Sequence, residues 1–237
     1  CREYRVTGNP DQVTLARTHQ LDGVDPKLDK VDQGGDGDQL LGMHDAPSLV
    51  FYFDYVDPGS YLTHRQLGQI LPEGVEPVRH PFEVCPVPQE LIDGSGPDWR
   101  AYGETVMGLA REAEIRMVRP SFVPWSRKAH ELRLHAAEQG LESSMHEAVF
   151  SAHFMEGADI GRIDVLVASA EELGLDPSES KAVLDVDKHR ERVVDLRRAA
   201  EASGVRRVPT LRSGDMSLEG PASIGELRHF LQQARLL

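Results

Sequence analysis

A short apolar run that leads directly into a helix start limits the folds open to this chain. Leu49 to Asp54 (LVFYFD) is almost continuously apolar and rich in β-forming residues, which is typical of a buried strand in an α/β sheet. Asp57 and Pro58 follow, an acid suited to the N-cap and a proline suited to the first helical position. The helix is predicted to extend to Ile70, since apolar residues continue at helical spacing.

The rest of the chain continues this α/β pattern around a helical block. Residues 75–82 are predicted to form a second strand, with a broken, edge-like pattern. Residues 97–185 contain amphipathic segments and no strand pattern, so they are predicted to be all-helical. Residues 186–203 then indicate a helix, residues 208–218 a two-stranded hairpin, and Ser223 with Glu226 the capping box of a last helix. The predicted order is βαβ, a helical block, then αββα.

Composition excludes several classes of partner. Residues 1–46 are rich in Asp, Gly and Gln, which predicts a flexible acidic leader before a first half-domain at 47–96. The net charge of −13 argues against nucleic acid and anionic membrane surfaces, which attract basic proteins. No apolar run reaches the length of about 18 residues that a membrane helix needs. No signal-peptide core is visible, so a cytoplasmic location is expected, and a homodimer is left open.

The two cysteines, Cys1 and Cys85, form no CxxC motif. Two such distant cysteines do not predict a disulfide framework or a metal site, and no metal is expected. Cys85 is predicted to be a small buried apolar residue.

Four separated segments carry a resemblance to a known family. They are FYFDYVDPGSYL (51–62), HPFEV (80–84), AHEL with AVFSAHFMEGADIG (129–132 and 148–161), and GVRRVPT (204–210). In this order they resemble the DsbA-like group, which includes FrnE-type oxidoreductases, 2-hydroxychromene-2-carboxylate isomerase and kappa-class glutathione transferase. The resemblance spans residues 48 to about 235. It implies a thioredoxin fold, class α/β, with an all-helical insertion at 97–185 and a second half-domain at 186–237.

In the redox members of this group, the turn after the first strand reads C-P-x-C. The matching positions here are Asp57 and Ser60, which the resemblance marks as the candidate catalytic residues. Neither side chain forms a disulfide, so dithiol–disulfide exchange at this turn is excluded by composition. A weaker hypothesis, residual redox activity through Cys85 alone, is kept as an alternative.

The role of Asp57 is open at this point. The isomerase and transferase members place a serine here that holds the glutathione thiolate, whereas a carboxylate about 4 Å from a thiolate costs roughly 4 kcal/mol at an effective dielectric of about 20. Asp57 is therefore either a helix cap only, contributing about 1 kcal/mol, or a protonated acid or a base towards another substrate. A third alternative is that Ser60 makes the contact with the thiol.

The resemblance also implies a cis Pro209 opposite this turn, with the Val208 backbone facing the turn. Such an edge binds glutathione or an extended peptide as an added strand. The candidate substrate-binding residues are Pro58, Gly59, Tyr61, Val208, Pro209 and Thr210.

Other polar residues are weaker candidates. His64 lies one turn into the first helix and is either an acid or base at the cleft or a surface residue. His130 and His153 are expected in core or surface positions rather than as metal ligands. Arg206 and Arg207 either attract a carboxylate or are solvated.

Two functional hypotheses follow. The first is a protein of the oxidoreductase and isomerase group that lacks CxxC and binds glutathione or another small thiol, with glutathione as cosubstrate and no bound cofactor. Its activity would be that of a thiol-dependent isomerase or transferase. The alternative is a catalytically inactive relative that binds an extended peptide or partner protein through the same cleft.

Overall fold

A four-stranded mixed sheet lies at the centre of residues 48–237, the part of the chain that the computed structural model describes. Strand β1 pairs in parallel with β2 and antiparallel with β3, and β3 pairs antiparallel with β4, so the order is β2-β1-β3-β4. The strands are β1 (Val50–Phe53), β2 (Val78–Pro81), β3 (Thr210–Ser213) and β4 (Met216–Glu219). The predicted acidic leader lies outside the described residues.

The helices follow the predicted order around this sheet. They are α1 (Pro58–Ile70), α2 (Pro97–Glu112), α3 (Arg127–Glu138), α4 (Glu142–Phe154), α5 (Ile163–Glu172), α6 (Pro177–Asp185), α7 (Arg190–Ala202) and α8 (Ile224–Gln233). Helices α2 to α6 form the predicted strand-free block between β2 and α7. The thioredoxin-type order with a helical insertion is thus confirmed, while the division into half-domains stays a prediction. Among residues 48–237, no helix is both long and apolar enough to cross a membrane.

Strand β1 is buried on both faces, as its continuous apolar run predicts. Phe51 and Phe53 point into the main core, which α1, α8 and the insertion helices share. Tyr52, on the opposite face, packs in a smaller cluster with residues of α7 and of the segment after it. Because successive side chains of a strand alternate between its faces, these three aromatics fill both cores.

The predicted caps are confirmed at two helix starts. Asp57 has extended backbone geometry and accepts a hydrogen bond from the Ser60 N–H, with Pro58 at the first helical position. Ser223 and Glu226 form the reciprocal bonds of a capping box at the start of α8. Local sequence chemistry therefore sets where these two helices begin.

Three predicted boundaries are corrected. Strand β2 begins at Val78 rather than at residue 75, because Pro77 has no N–H to offer the ladder. Helix α7 begins at Arg190 rather than at residue 186, since Asp187 has a left-handed backbone (φ 56°) that interrupts the helix. Strand β3 begins at Thr210 rather than at residue 208, since Pro209 also lacks an N–H.

Candidate functional site

The turn between β1 and α1 is organised around the Asp57 carboxylate. Its Oδ2 accepts hydrogen bonds from the Ser60 backbone N–H (2.6 Å) and from the Ser60 hydroxyl (2.7 Å). The Ser60 Oγ in turn accepts a bond from the Asp54 N–H (3.2 Å). The two candidate catalytic residues are therefore in direct contact, and both are fully buried.

The helical insertion adds a third group to this turn. Tyr102, on α2, donates a hydrogen bond from its hydroxyl to Oδ1 of Asp57 (2.7 Å). Sequence reasoning missed this residue, because one aromatic residue on an amphipathic helix gives no sign of which distant turn it will contact. The Asp57 carboxylate thus receives three hydrogen bonds, two from Ser60 on its own helix and one from Tyr102 on the insertion.

Burial controls the acidity of Asp57. The carboxyl lies in a water-excluded position, which disfavours its charged form and raises its pKa to about 7, although the bonds from Ser60 and Tyr102 act in the opposite direction. Near neutral pH the group therefore exchanges between its neutral and ionised forms. A carboxyl of this kind is able to donate a hydrogen bond or accept a proton in the same pH range.

The cis-proline loop closes over the turn, as the resemblance implied. The Val208–Pro209 peptide bond is cis, and the Pro209 ring lies against Gly59. A Cβ atom at Gly59 would come within 2.9 Å of the Pro209 Cδ and within 2.3 Å of the Tyr102 hydroxyl. Glycine is thus required at this position by the close approach of two other segments.

Gly59→Ala is expected to lower the free energy of unfolding by roughly 1–3 kcal/mol, because the added methyl group displaces Tyr102 and Pro209. Gly68→Ala is the matched control in the same helix, since a Cβ atom added there would meet no neighbouring side chain within 4 Å and alanine stabilises an exposed helix interior by roughly 0.5–1 kcal/mol. Urea denaturation measures both changes. If both variants raised the free energy of unfolding by the same amount, this would contradict the close packing at Gly59.

Not every predicted substrate-binding residue meets at this turn. Pro58 and Gly59 belong to it and Pro209 faces it, while Val208 and Thr210, both buried, continue the cis-proline segment. Tyr61 lies away from the turn, with its ring stacked on Phe154 (5.0 Å between centroids) in the core, and its part in substrate binding stays a prediction. Its hydroxyl donates to the Arg116 carbonyl (3.1 Å), because the Tyr61 position on α1 faces the insertion helices.

Asp54, which lies between the end of β1 and the turn, makes a second set of buried polar contacts. Asp54 accepts a hydrogen bond from the Val84 N–H through Oδ2 (2.5 Å), and its Oδ1 lies 3.1 Å from Nε2 of His130. His130 is fully buried on α3, so of the two expected positions, core or surface, it occupies the core. These contacts join the end of β1, the segment after β2 and the insertion.

The remaining candidates lie elsewhere. His64 contacts Glu147 on α4 (2.7 Å), and His153 contacts the Ala158 carbonyl (3.0 Å). Arg206 is exposed and donates to the Glu201 carbonyl at the end of α7 (2.6 Å). Cys85 is a buried cysteine, and burial raises the pKa of its thiol, which disfavours the reactive thiolate.

Comparison with known proteins agrees with this fold. Residues 48–232 match the family described as DSBA-like thioredoxin domain. The chain belongs to this family. The family match spans strands β1 to β4 and the helical insertion between β2 and α7, so the resemblance of the four sequence segments is confirmed.

Individual relatives share less than a third of their residues with this chain. The chain is 29% identical over 180 residues to the uncharacterized protein YwbO of Bacillus subtilis, covering 73% of this chain and 90% of YwbO. The crystal structure of the probable DsbA oxidoreductase SCO1869 from Streptomyces coelicolor is 20% identical with a TM-score of 0.67, covering 80% of this chain and 90% of that one. The cytosolic disulfide reductase DsbM from Pseudomonas aeruginosa with GSH is 19% identical with a TM-score of 0.56, covering 80% and 100%. At these identities, the two structures establish a shared fold.

Proposed function

We propose that this DsbA-family protein binds a small thiol, with glutathione as the first candidate, and that Asp57 takes the proton of the thiol. The observation that carries the proposal is the Asp57 carboxyl at the start of α1, with a pKa of about 7 and contacts to Ser60 and Tyr102. The known structure of DsbM with GSH, which shares the fold, supports glutathione as the first ligand to test.

The proton transfer removes the charge conflict that a carboxylate and a thiolate would otherwise have. An ionised Asp57 accepts the proton from the thiol sulfur, so the pair becomes a neutral carboxylic acid beside a thiolate. The new O–H then donates a hydrogen bond to the sulfur, and the positive end of the α1 dipole favours the thiolate charge. The total charge of the pair does not change, so no like-charge contact forms.

Access to Asp57 requires a movement of Tyr102. Asp57 and Ser60 are fully buried, and the Tyr102 hydroxyl occupies the position beside Oδ1 where the sulfur would lie. Helix α2 follows a stretch of the chain, residues 87–96, in which most residues are exposed. We propose that the ligand displaces the Tyr102 side chain and takes its place beside Oδ1.

Calorimetric titration with reduced glutathione at pH 8 tests this proposal. We expect wild-type protein to bind without net proton release, because the thiol proton moves to Asp57. Asp57→Asn removes the acceptor but preserves a neutral group of the same shape, so binding of the thiolate should release about one proton to the buffer. Titrations in two buffers of different ionisation enthalpy measure this difference.

Two controls keep the test specific. S-methylglutathione has no thiol proton and should bind at least about tenfold more weakly, and Cys85→Ser should change neither affinity nor proton release, because that thiol is buried. Absence of glutathione binding at millimolar concentration would overturn the proposal. Equal proton release by wild type and Asp57→Asn would overturn the role of Asp57.

The complete burial of Asp57 and Ser60 favours a second candidate function, the catalytically inactive relative that binds an extended peptide or partner protein in the same cleft. Here Asp57 is a helix cap only. This candidate predicts binding of thiol-free extended peptides, detected by chemical-shift changes around Gly59 and Pro209, together with no binding of glutathione. A homodimer and a cytoplasmic location stay predictions.

A further inference from the structure

A cluster of metal-ligating side chains lies where the helical insertion contacts the second half of the thioredoxin domain. His135 and Glu138 are one turn apart on α3, and His189 is the N-cap residue of α7. One ligand atom from each of the three lies within 4.8 Å of the ligand atoms of the other two. Among the described residues, this is the group whose composition and spacing suit a metal ion.

Two imidazole nitrogens of this cluster have no hydrogen-bond partner although they are buried. They are Nδ1 of His135 and Nε2 of His189, and each lies 3.8 Å from a carboxylate oxygen of Glu138. Buried polar atoms in folded proteins are nearly always paired, so two unpaired nitrogens directed at one carboxylate indicate a missing partner. A cation between them would satisfy both nitrogens and the carboxylate.

We propose that His135, Glu138 and His189 bind a divalent transition-metal ion of the zinc class. Two imidazoles and one carboxylate are a donor set that zinc accepts, with bonds of about 2.0–2.2 Å that place neighbouring ligand atoms about 3.3–3.5 Å apart. The observed separations exceed this by a few tenths of an ångström to about 1.5 Å. The Glu138 side chain is about half exposed, so its rotation would bring its carboxylate to these distances from the two nitrogens.

The surrounding residues fit this assignment. Metal binding through Nδ1 of His135 requires the proton on Nε2, which lies 3.4 Å from the Gln139 side-chain amide. That amide, turned so that its oxygen faces the ring, accepts the proton, as the outer partners of metal-bound histidines commonly do.

One nearby cation competes with the metal. The Lys188 ammonium lies 2.8 Å from Oε2 of Glu138 and lowers the pKa of that carboxyl. A metal bound by the cluster must displace this ammonium group or use the other oxygen, Oε1.

The bound ion would join α3 to the start of α7, and therefore the insertion to the second half-domain. The same α3 carries His130, which contacts Asp54 beneath the Asp57 turn.

Zinc titration of the tag-free full chain, in competition with a chromophoric chelator, tests the site. We expect one zinc ion per chain at this cluster. Glu138→Gln and His189→Ala should each weaken that binding at least about tenfold, and Lys188→Ala should strengthen it by removing the competing charge. Glu138 is exposed and the His189 side chain has 11% exposure, so these variants leave the core intact.

His229→Ala is the matched control, because His229 is an exposed histidine on α8. It should leave zinc affinity unchanged. We also expect zinc to raise the melting temperature by roughly 5–10 °C at about 100 times its dissociation constant, reversibly on addition of EDTA. Absence of stoichiometric zinc, or equal affinity in wild type, Glu138→Gln and His189→Ala, would overturn the proposal and identify an adventitious ion only.

Discussion

Asp57→Asn is expected to stabilise the protein at pH 8 by an amount on the order of 4 kcal/mol relative to wild type, with the advantage disappearing at about pH 4. Burial raises the pKa of Asp57 to about 7 in the folded protein, against about 3.9 in the unfolded chain. The folded state therefore binds the proton more tightly. The stabilisation that this proton gives the folded wild-type protein is complete below about pH 4 and is lost as the pH rises through about 7.

Asparagine removes this dependence while it preserves the contacts. Its carbonyl accepts the bonds from Ser60, and its amide donates to the Tyr102 oxygen. Urea unfolding at several pH values between 4 and 8 measures the difference between the two proteins. Subtracting the free energies of unfolding of the two proteins at each pH removes the contributions of the other titrating groups, which both proteins share.

Asp176→Asn is the control for helix capping. Asp176 also precedes a proline at a helix start and accepts the Glu179 N–H (2.7 Å), but it is exposed. We expect its substitution to leave the shape of the pH profile unchanged. Parallel profiles for Asp57→Asn and wild type would contradict the raised pKa, and with it the acid–base role proposed for Asp57.

Glu83→Gln is expected to destabilise the protein by about 3–5 kcal/mol, because it leaves the guanidinium of Arg127 buried without its counter-charge. Glu83 accepts two bonds from Arg127 (3.0 and 3.2 Å), and the two side chains are 1% and 10% exposed. The Glu83 carbonyl also accepts a bond from Arg197 on α7. This residue thus links the segment after β2 to α3 of the insertion and to α7.

The ion pair formed by Arg162 and Asp164 is the matched control. It has the same two-point geometry but is 61% and 66% exposed, so Asp164→Asn should cost at most about 1 kcal/mol. Chemical denaturation of both variants gives the comparison. The double variant Glu83→Met, Arg127→Met should recover most of the lost stability, since a buried pair is often replaceable by apolar side chains. Similar losses for Glu83→Gln and Asp164→Asn would show that burial does not control the energy of the pair.

The order of elements was predictable because each depends on local patterns. The apolar run of β1, the Asp57–Pro58 helix start and the Ser223 capping box are set by residues close together in the chain, and all three are confirmed. Boundaries were less predictable. The late start of α7 depends on the left-handed backbone of Asp187, and no periodicity of apolar residues indicates such a break.

The site was predictable only in part. The resemblance of the chain to the family located Asp57 and Ser60 and implied the cis peptide bond before Pro209, which is confirmed. It gave no indication of Tyr102, because this contact joins positions 45 residues apart in the chain. The contact of Tyr61 with Arg116 was not predictable either, since helical spacing does not tell which face of α1 the insertion covers.

The sequence by itself determined the strand–helix turn, the absence of a CxxC pair and the helix caps, because these follow from residue types and short spacings. Only the tertiary structure decided how acidic Asp57 is and which groups contact it. The pKa of a carboxyl depends on its distance from water and on donors from other segments, and both arise when α2 folds over the turn. The cluster of His135, Glu138 and His189 likewise exists only because α3 and α7 pack together.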